Sequence, residues 1–306
     1  MGKTAFIFPG QGAQYCGMGK EFYEQTETGK RVFDRASELL GFSVPELCFT
    51  ENDRLDITEY TQAAMVTTSI AMMNVLKEQG VEPDVAAGLS LGEYCALAAA
   101  GVMSEDDAIT TVRQRGILMQ EAVPAGLGAM AAVLALDAAK IEAVLERIEG
   151  VEIANYNCPG QIVISGKKEA VEQAGAALTE AGAKRVVMLN VSGPFHSGML
   201  TEAGAKLGAV LQKVKVQKPR IPYVANVTAS YVTEADEVKP LLEKQVYSSV
   251  RWQQSVEAMI ADGVDTFIEI GPGRTLSGFM RKINRDVTVL NIEKLEDVKK
   301  VVESLK

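Results

Sequence analysis

Short β-rich runs alternate with longer helical patterns along most of this chain. That alternation restricts the fold more than any other feature of the sequence. Residues 4–8, 85–89, 222–227, 266–270 and 287–292 read as core strands. Residues 61–79, 105–121, 255–261 and 275–283 carry apolar side chains at helical spacing. Parallel strands need a crossover connection, so strands separated by helices build a mostly parallel sheet with helices on both faces. The expected class is α/β. Ligands on such sheets collect beyond the carboxyl ends of the strands.

The middle of the chain breaks the pattern. Residues 129–136 read as a strand, and 137–148 as a helix opened by an Asp137 cap. Residues 151–156 and 161–165 read as two strands joined by a turn containing Asn157, Pro159 and Gly160. A helix over 168–181 ends near Gly182, and a last strand covers 185–191. The order βαββαβ is ferredoxin-like. The block is flanked by two expected hinges, Pro124-Ala125-Gly126 and Gly193-Pro194. The expected organisation is a discontinuous large body, 1–126 and 194–306, with a small ferredoxin-like subdomain inserted at 127–193. A chain of 306 residues suits about two domains. A cleft between two bodies is a natural substrate site.

Composition narrows the partners. The net charge of −9 disfavours nucleic acid or an anionic membrane as the main partner. Cys16, Cys48, Cys95 and Cys158 are widely spaced and form no C-x-x-C pair, which reads as reduced thiols rather than a disulfide framework or a metal site. The apolar start is too short for a signal peptide. No run approaches the ~20 apolar residues of a membrane helix, and residues 86–103 contain Glu93 and three glycines. A soluble, cytoplasmic protein is expected.

One pentapeptide and one histidine concentrate the chemistry. Gly88-Leu89-Ser90-Leu91-Gly92 is a G-x-S-x-G run between strand-like residues 84–87 and helix-like residues 93–100. In an α/β-hydrolase-like body, strand–turn–helix around such a run makes a nucleophile elbow. The alternative is that Ser90 merely caps the helix, a position serine favours. A serine nucleophile needs a neighbouring base, usually imidazole. The only histidine is His196, within Gly193-Pro194-Phe195-His196-Ser197. Ser90 precedes the inserted block and His196 follows it, which suits a shared cleft. Phe8-Pro9-Gly10-Gln11-Gly12-Ala13-Gln14 follows the first strand. Tyr15 stands where a dinucleotide fingerprint needs glycine, and Met18 where a P-loop needs lysine. The run is then a tight turn, or a loop whose N–H groups line an oxyanion hole. Arg113 and Arg115, two apart on a helix, point to different faces. A buried arginine usually pairs with a carboxylate, so the residues alone point to a structural ion pair.

Taken in order, these segments resemble the malonyl-CoA:acyl-carrier-protein transacylases of bacterial fatty-acid synthesis. The resemblance runs through residues 8–14, 88–93, Arg115-Gly116 with Met119-Gln120, 193–197, 226–229, Gln245 with Val250-Arg251-Trp252, and 269–273. It implies that Ser90 carries the malonyl group as an ester and that His196 is general base, then general acid. It further implies that Arg115 holds the free carboxylate through a bidentate pair. The backbone N–H groups of Gln11 and Leu91 would form the oxyanion hole, and the backbone carbonyl of Gln245 would orient His196. The family usually has histidine directly before the serine, where this chain has Leu89. Phe195 before the histidine is similar to malonyl-selective polyketide acyltransferase domains, a bulky ring crowding an α-methyl group.

The implied partners are malonyl-CoA and acyl carrier protein, with no metal or redox cofactor, and a monomer is expected. Carrier proteins of this kind are acidic, and so is this chain, so docking calls for a local basic patch. Lys184-Arg185 and Arg281-Lys282 are the candidates, the alternative being solvated element ends. The main rival is a serine hydrolase, which would use an acidic third member and a histidine near the C-terminus. His196 lies well inside the chain. A non-catalytic carrier-binding module would have no need of Ser90, His196 and Arg115 together, whereas a discrete acyltransferase serving a polyketide synthase would share all three.

Overall fold

A computed structural model describes residues 2–124, 126–191 and 193–305. Ala125, inside the first expected hinge, lies outside the described residues. The strands are β1 (Lys3–Phe8), β2 (Val85–Gly88), β3 (Gly128–Leu134), β4 (Val151–Cys158), β5 (Gln161–Lys167), β6 (Arg185–Met188), β7 (Tyr223–Ala225), β8 (Ser230–Val232), β9 (Val264–Ile270) and β10 (Thr288–Ile292). One sheet has the order β10-β9-β1-β2-β7-β8. Its neighbours are parallel except for the β7–β8 pair. The fold is mixed α/β with a mostly parallel main sheet, as the alternation requires.

Both faces of that sheet are covered, which explains why its strands are apolar throughout rather than alternating. Along β1, Phe6 and Phe8 enter the core formed with the helix Thr58–Lys77. Ala5 and Ile7 face the opposite core, under the helices Trp252–Ala261 and Thr275–Ile283. The helix Thr58–Lys77 is buried nearly all round and begins ahead of the expected residue 61. Strand β7 is shorter than 222–227, because Asn226 turns out of the strand to bond across a neighbouring turn. No helix among the described residues is long and apolar enough to cross a membrane.

The second sheet has the order β4-β5-β3-β6 and is antiparallel throughout. This is the ferredoxin-like arrangement. Its helices Ala138–Leu145 and Lys168–Glu180 cover one face, over Ala131, Val133, Ile153 and Ile164. From the other face, Met130, Ala154 and Val163 join the main core beside Met119 and Phe195. Two expectations need correction. Asp137 occupies the N-cap position but its side chain makes no capping bond; only its carbonyl opens the helix. Strand β6 stops at Met188 rather than 191, since the Val191 N–H turns back to the Leu189 carbonyl. Val250, in the segment ahead of the helix Trp252–Ala261, bridges to the edge strand β4: it donates to the Ala154 carbonyl and accepts from the Tyr156 N–H.

Candidate active site

The turn after β2 is built by close approach. A Cβ on Gly88 would lie 2.0 Å from backbone atoms of Gly92, and one on Gly92 would lie 2.3 Å from the Phe8 carbonyl oxygen. Only glycine lets the helix Gly92–Ala99 start so near β1 and β2. Ser90 is left in the left-handed region at φ 52°, which a non-glycine residue adopts only when its surroundings impose it. The Asn226 amide imposes it here: its Oδ1 accepts from the Ser90 N–H at 2.7 Å, and its Nδ2 donates to the Gly88 carbonyl at 2.7 Å. Ser90 is therefore a presented hydroxyl and not a cap. The N-cap is Leu91, without a side-chain bond.

His196 also has positive φ, at 57°. Its Nε2 lies 2.7 Å from Ser90 Oγ, and its Nδ1 lies 2.8 Å from the backbone carbonyl oxygen of Gln245. A carbonyl can only accept, so Nδ1 carries the proton and Nε2 offers its lone pair to the serine. Burial, and then the Arg115 cation, lower the His196 pKa to about 4, against the Gln245 carbonyl, which raises it. The imidazole is thus neutral at physiological pH and able to accept a proton.

Arg113 and Arg115 do face opposite ways, but the ion pair belongs to the wrong one for the structural reading. Arg113 pairs with Glu59 at 2.6 Å and stacks on Tyr60. Arg115 is 1% exposed and bonds to amides: Nη1 to Gln62 Oε1 at 2.8 Å, Nη2 to Gln245 Oε1 at 3.0 Å. Nη2 also lies 3.2 Å from Ser90 Oγ, and Nε has no partner. Among the described residues no carboxylate forms an ion pair with Arg115. A buried guanidinium held by neutral amides beside a serine hydroxyl has the charge and donors to receive an anion.

The remaining expectations fall around this centre. Gly10 packs against the Leu89 carbonyl, laying the 9–11 loop over the turn. Among the described residues the backbone N–H groups of Gln11 and Leu91 donate to no acceptor. Phe195 is buried, with Met119 and Met130 in the same core. Leu89 is half-buried against the second core.

Gln62, Asn226 and Glu93 carry contacts that residue patterns do not announce. Glu93 is 1% exposed, and its Oε2 accepts from Gln245 Nε2 at 2.6 Å and from the Asn226 N–H at 3.2 Å. Burial pushes its pKa up to about 7, against those hydrogen bonds and the Arg115 charge.

The basic pairs share one edge. Lys184 and Arg185 are exposed at the start of β6, where Arg185 pairs with Leu134, which in turn pairs with Gln161. Lys282, exposed beside Arg281, donates to Gln161 Oε1 at 3.4 Å. That edge is the far end of β3 from Gly128, which abuts Pro194, two residues before His196. The strand between them spans about 20 Å.

A serine elbow, a neutral imidazole on its hydroxyl and a buried guanidinium beside both have the geometry of an acyl-transfer type of site. The chain belongs to the acyl transferase domain family, whose model matches residues 5–299. It is 48% identical to the malonyl CoA-acyl carrier protein transacylase of Bacillus subtilis (strain 168), over 100% of this chain and 98% of that protein. The solved malonyl CoA-acyl carrier protein transacylase from Clostridium perfringens superposes with TM-score 0.96 at 46% identity, covering 99% of this chain and 97% of that one. A malonyl-transacylase solved in complex with its type II PKS acyl-carrier protein superposes with TM-score 0.96 at 37% identity, covering 99% of each chain.

Proposed function

We propose that this acyltransferase moves a malonyl group from malonyl-CoA to the thiol of acyl carrier protein through an ester on Ser90, supplying fatty-acid chain elongation. The observation that carries the reading is Arg115, a buried cation 3.2 Å from the serine hydroxyl that, among the described residues, has an unpartnered Nε and no carboxylate in an ion pair with it. A malonyl carboxylate supplies the missing charge, and an acetyl group leaves it unmet.

Ser90 Oγ attacks the thioester carbonyl while His196 Nε2 takes its proton. The Gln11 and Leu91 N–H groups receive the oxyanion. Collapse breaks the C–S bond, and His196 returns the proton to the departing CoA sulfur. The carrier thiol then attacks the malonyl ester, with His196 as base and then acid in the reverse order. Thioester, ester and thioester interconvert without any redox step, so no cofactor is called for. Phe195 is assigned to crowding an α-methyl group.

The 127–193 unit acts as a subdomain closing over the 1–126 and 194–306 body and limiting water access to the ester. The Lys184, Arg185, Arg281 and Lys282 edge receives the acidic carrier. The enzyme is taken to act as a cytoplasmic monomer.

Intact-protein mass spectrometry after brief exposure to malonyl-CoA tests this. A malonyl adduct on wild type, absent in Ser90→Ala and discharged by carrier protein, is the expected result. Free malonate without an adduct would instead indicate a hydrolase, and no turnover a binding module.

A further inference from the structure

Glu93 is a buried carboxylate that acyl transfer itself does not use. It faces an amide N–H and a backbone N–H, and among the described residues it makes no ion pair. If it only filled space and accepted those two bonds, the isosteric glutamine would do so without the cost of burying a charge. Its Oε2 accepts both bonds, from Gln245 Nε2 and the Asn226 N–H, and Gln245 supplies the reason for an acceptor there.

Gln245 touches every part of the site. Its backbone carbonyl holds His196, its Oε1 accepts from Arg115 Nη2 at 3.0 Å, and its Nε2 donates to the Ser90 carbonyl at 3.0 Å and to Glu93 at 2.6 Å. A side-chain amide can rotate by half a turn with little change in shape. Flipped, the Gln245 amide would set its NH₂ against the guanidinium and its oxygen against two acceptors. We propose that Glu93 fixes the amide orientation of Gln245 and thereby aims Arg115, making Glu93 a positioning residue for malonyl selectivity. The inference rests on the acyl-transfer reading above. A glutamine at 93 can donate as well as accept, so only the Ser90 carbonyl then opposes the flip, and the flipped orientation leaves Arg115 one acceptor short. The Gln245 carbonyl stays on His196 in both orientations, because it belongs to the backbone. Selectivity is therefore separated from base positioning.

The test measures initial rates of Ser90 loading from malonyl-CoA and from acetyl-CoA, by intact-protein mass spectrometry. Glu93→Gln is expected to lower the malonyl-to-acetyl ratio about tenfold, the scale of one hydrogen bond to a charged group. Glu93→Asp, still acceptor-only, should restore much of the ratio. Gln245→Met keeps the backbone carbonyl and should lower the ratio similarly, and Glu93→Gln added to it should change the ratio no further. A parallel fall with both substrates, or an unchanged ratio, overturns the proposal, as does a multiplicative loss in the double variant. If Glu93→Gln does not fold, Gln245→Met decides alone, an unchanged ratio there being fatal. A wild type that never forms a malonyl adduct removes the acyl-transfer reading and this inference together. A normal wild-type adduct with an unchanged variant ratio removes only the inference.

Discussion

Ser90 and His196 both sit in left-handed backbone, yet the chain holds them by different means. The Ser90 side is mostly local: β2, two glycines and a helix within one short stretch shape the turn, and a single remote amide, Asn226, pins it. The His196 and Arg115 side is assembled from afar. The carbonyl on His196 comes from 49 residues away, and the amides on Arg115 from 53 and 130 residues away. The local side depends on steric necessity. The remote side depends on hydrogen bonds between elements whose meeting the whole fold decides. Damage to the first should therefore cost folding and chemistry together, and damage to the second should cost selectivity or pH response with the fold intact.

The largest effects are expected at Ser90 and His196, where both sides meet. Ser90→Ala should abolish the acyl-enzyme outright. His196→Ala should slow loading by on the order of 10⁴-fold or more. No other histidine exists in the chain to substitute for it. Circular dichroism of both variants should be native. An adduct persisting in Ser90→Ala would place the nucleophile elsewhere and dissolve the comparison.

The steric side is probed next. Gly88→Ala puts a methyl 2.0 Å from Gly92 backbone atoms, which cannot yield as a flexible side chain would. A loss of more than about 4 kcal/mol is expected in urea unfolding, if soluble protein forms at all. Gln62→Ala, on the remote side, removes one Arg115 acceptor from a helix and should cost only about 1–2 kcal/mol. Equal stabilities for these two variants would erase the distinction between a steric and a hydrogen-bonded half.

Arg115→Ala sharpens the remote side in two ways. Loading from malonyl-CoA should fall by about 2 kcal/mol or more, roughly 30-fold, with acetyl loading retained or improved. The variant should also move the base. Burial first and the Arg115 charge second hold His196 near 4, so the neutral base is lost only as pH falls through about 4 rather than near the ordinary 6.5. Removing the cation takes away one downward influence, so the acid limb of acetyl loading should shift to higher pH. Acetyl-CoA is the right probe, because it has no carboxylate of its own to titrate. An unmoved limb would mean that burial alone sets the His196 proton affinity.

The same division explains what the sequence disclosed. Strand–helix alternation and the βαββαβ block were legible because each rests on patterns within a few residues of one another. The elbow was legible because its glycines and serine adjoin. The role of Asn226 was visible only as a member of a familiar run, since nothing near it in sequence shows that its amide spans Gly88 and Ser90. Arg115 invited a structural ion pair, and the pair fell to Arg113, because Glu59 and Tyr60 lie on the neighbouring helix at positions no local rule connects. The helix Ala235–Gln245, which delivers Gln245, is obscured by Pro240 inside it.

The smallest expected effect lies farthest from the chemistry. Lys184, Arg185, Arg281 and Lys282 are exposed at one edge, roughly a strand length from His196, so they touch neither substrate carbonyl nor base. Charge reversal at Lys184 and Arg185 together should raise the KM for carrier protein only a few-fold, because exposed charges contribute little each and salt screens them. The effect should shrink between 50 and 300 mM salt, roughly as the Debye length shortens. Loading from malonyl-CoA should not change, since that half-reaction involves no carrier. The Arg281 and Lys282 pair, joined to the same row through Gln161, should behave likewise, and its effect should combine with the first if one acidic surface covers both. An equal loss in both half-reactions would show that these charges act on the fold or on CoA. The edge would then lose its claim to the carrier, and the contrast between a locally built Ser90 turn and a remotely built His196–Arg115 cluster would stand without it.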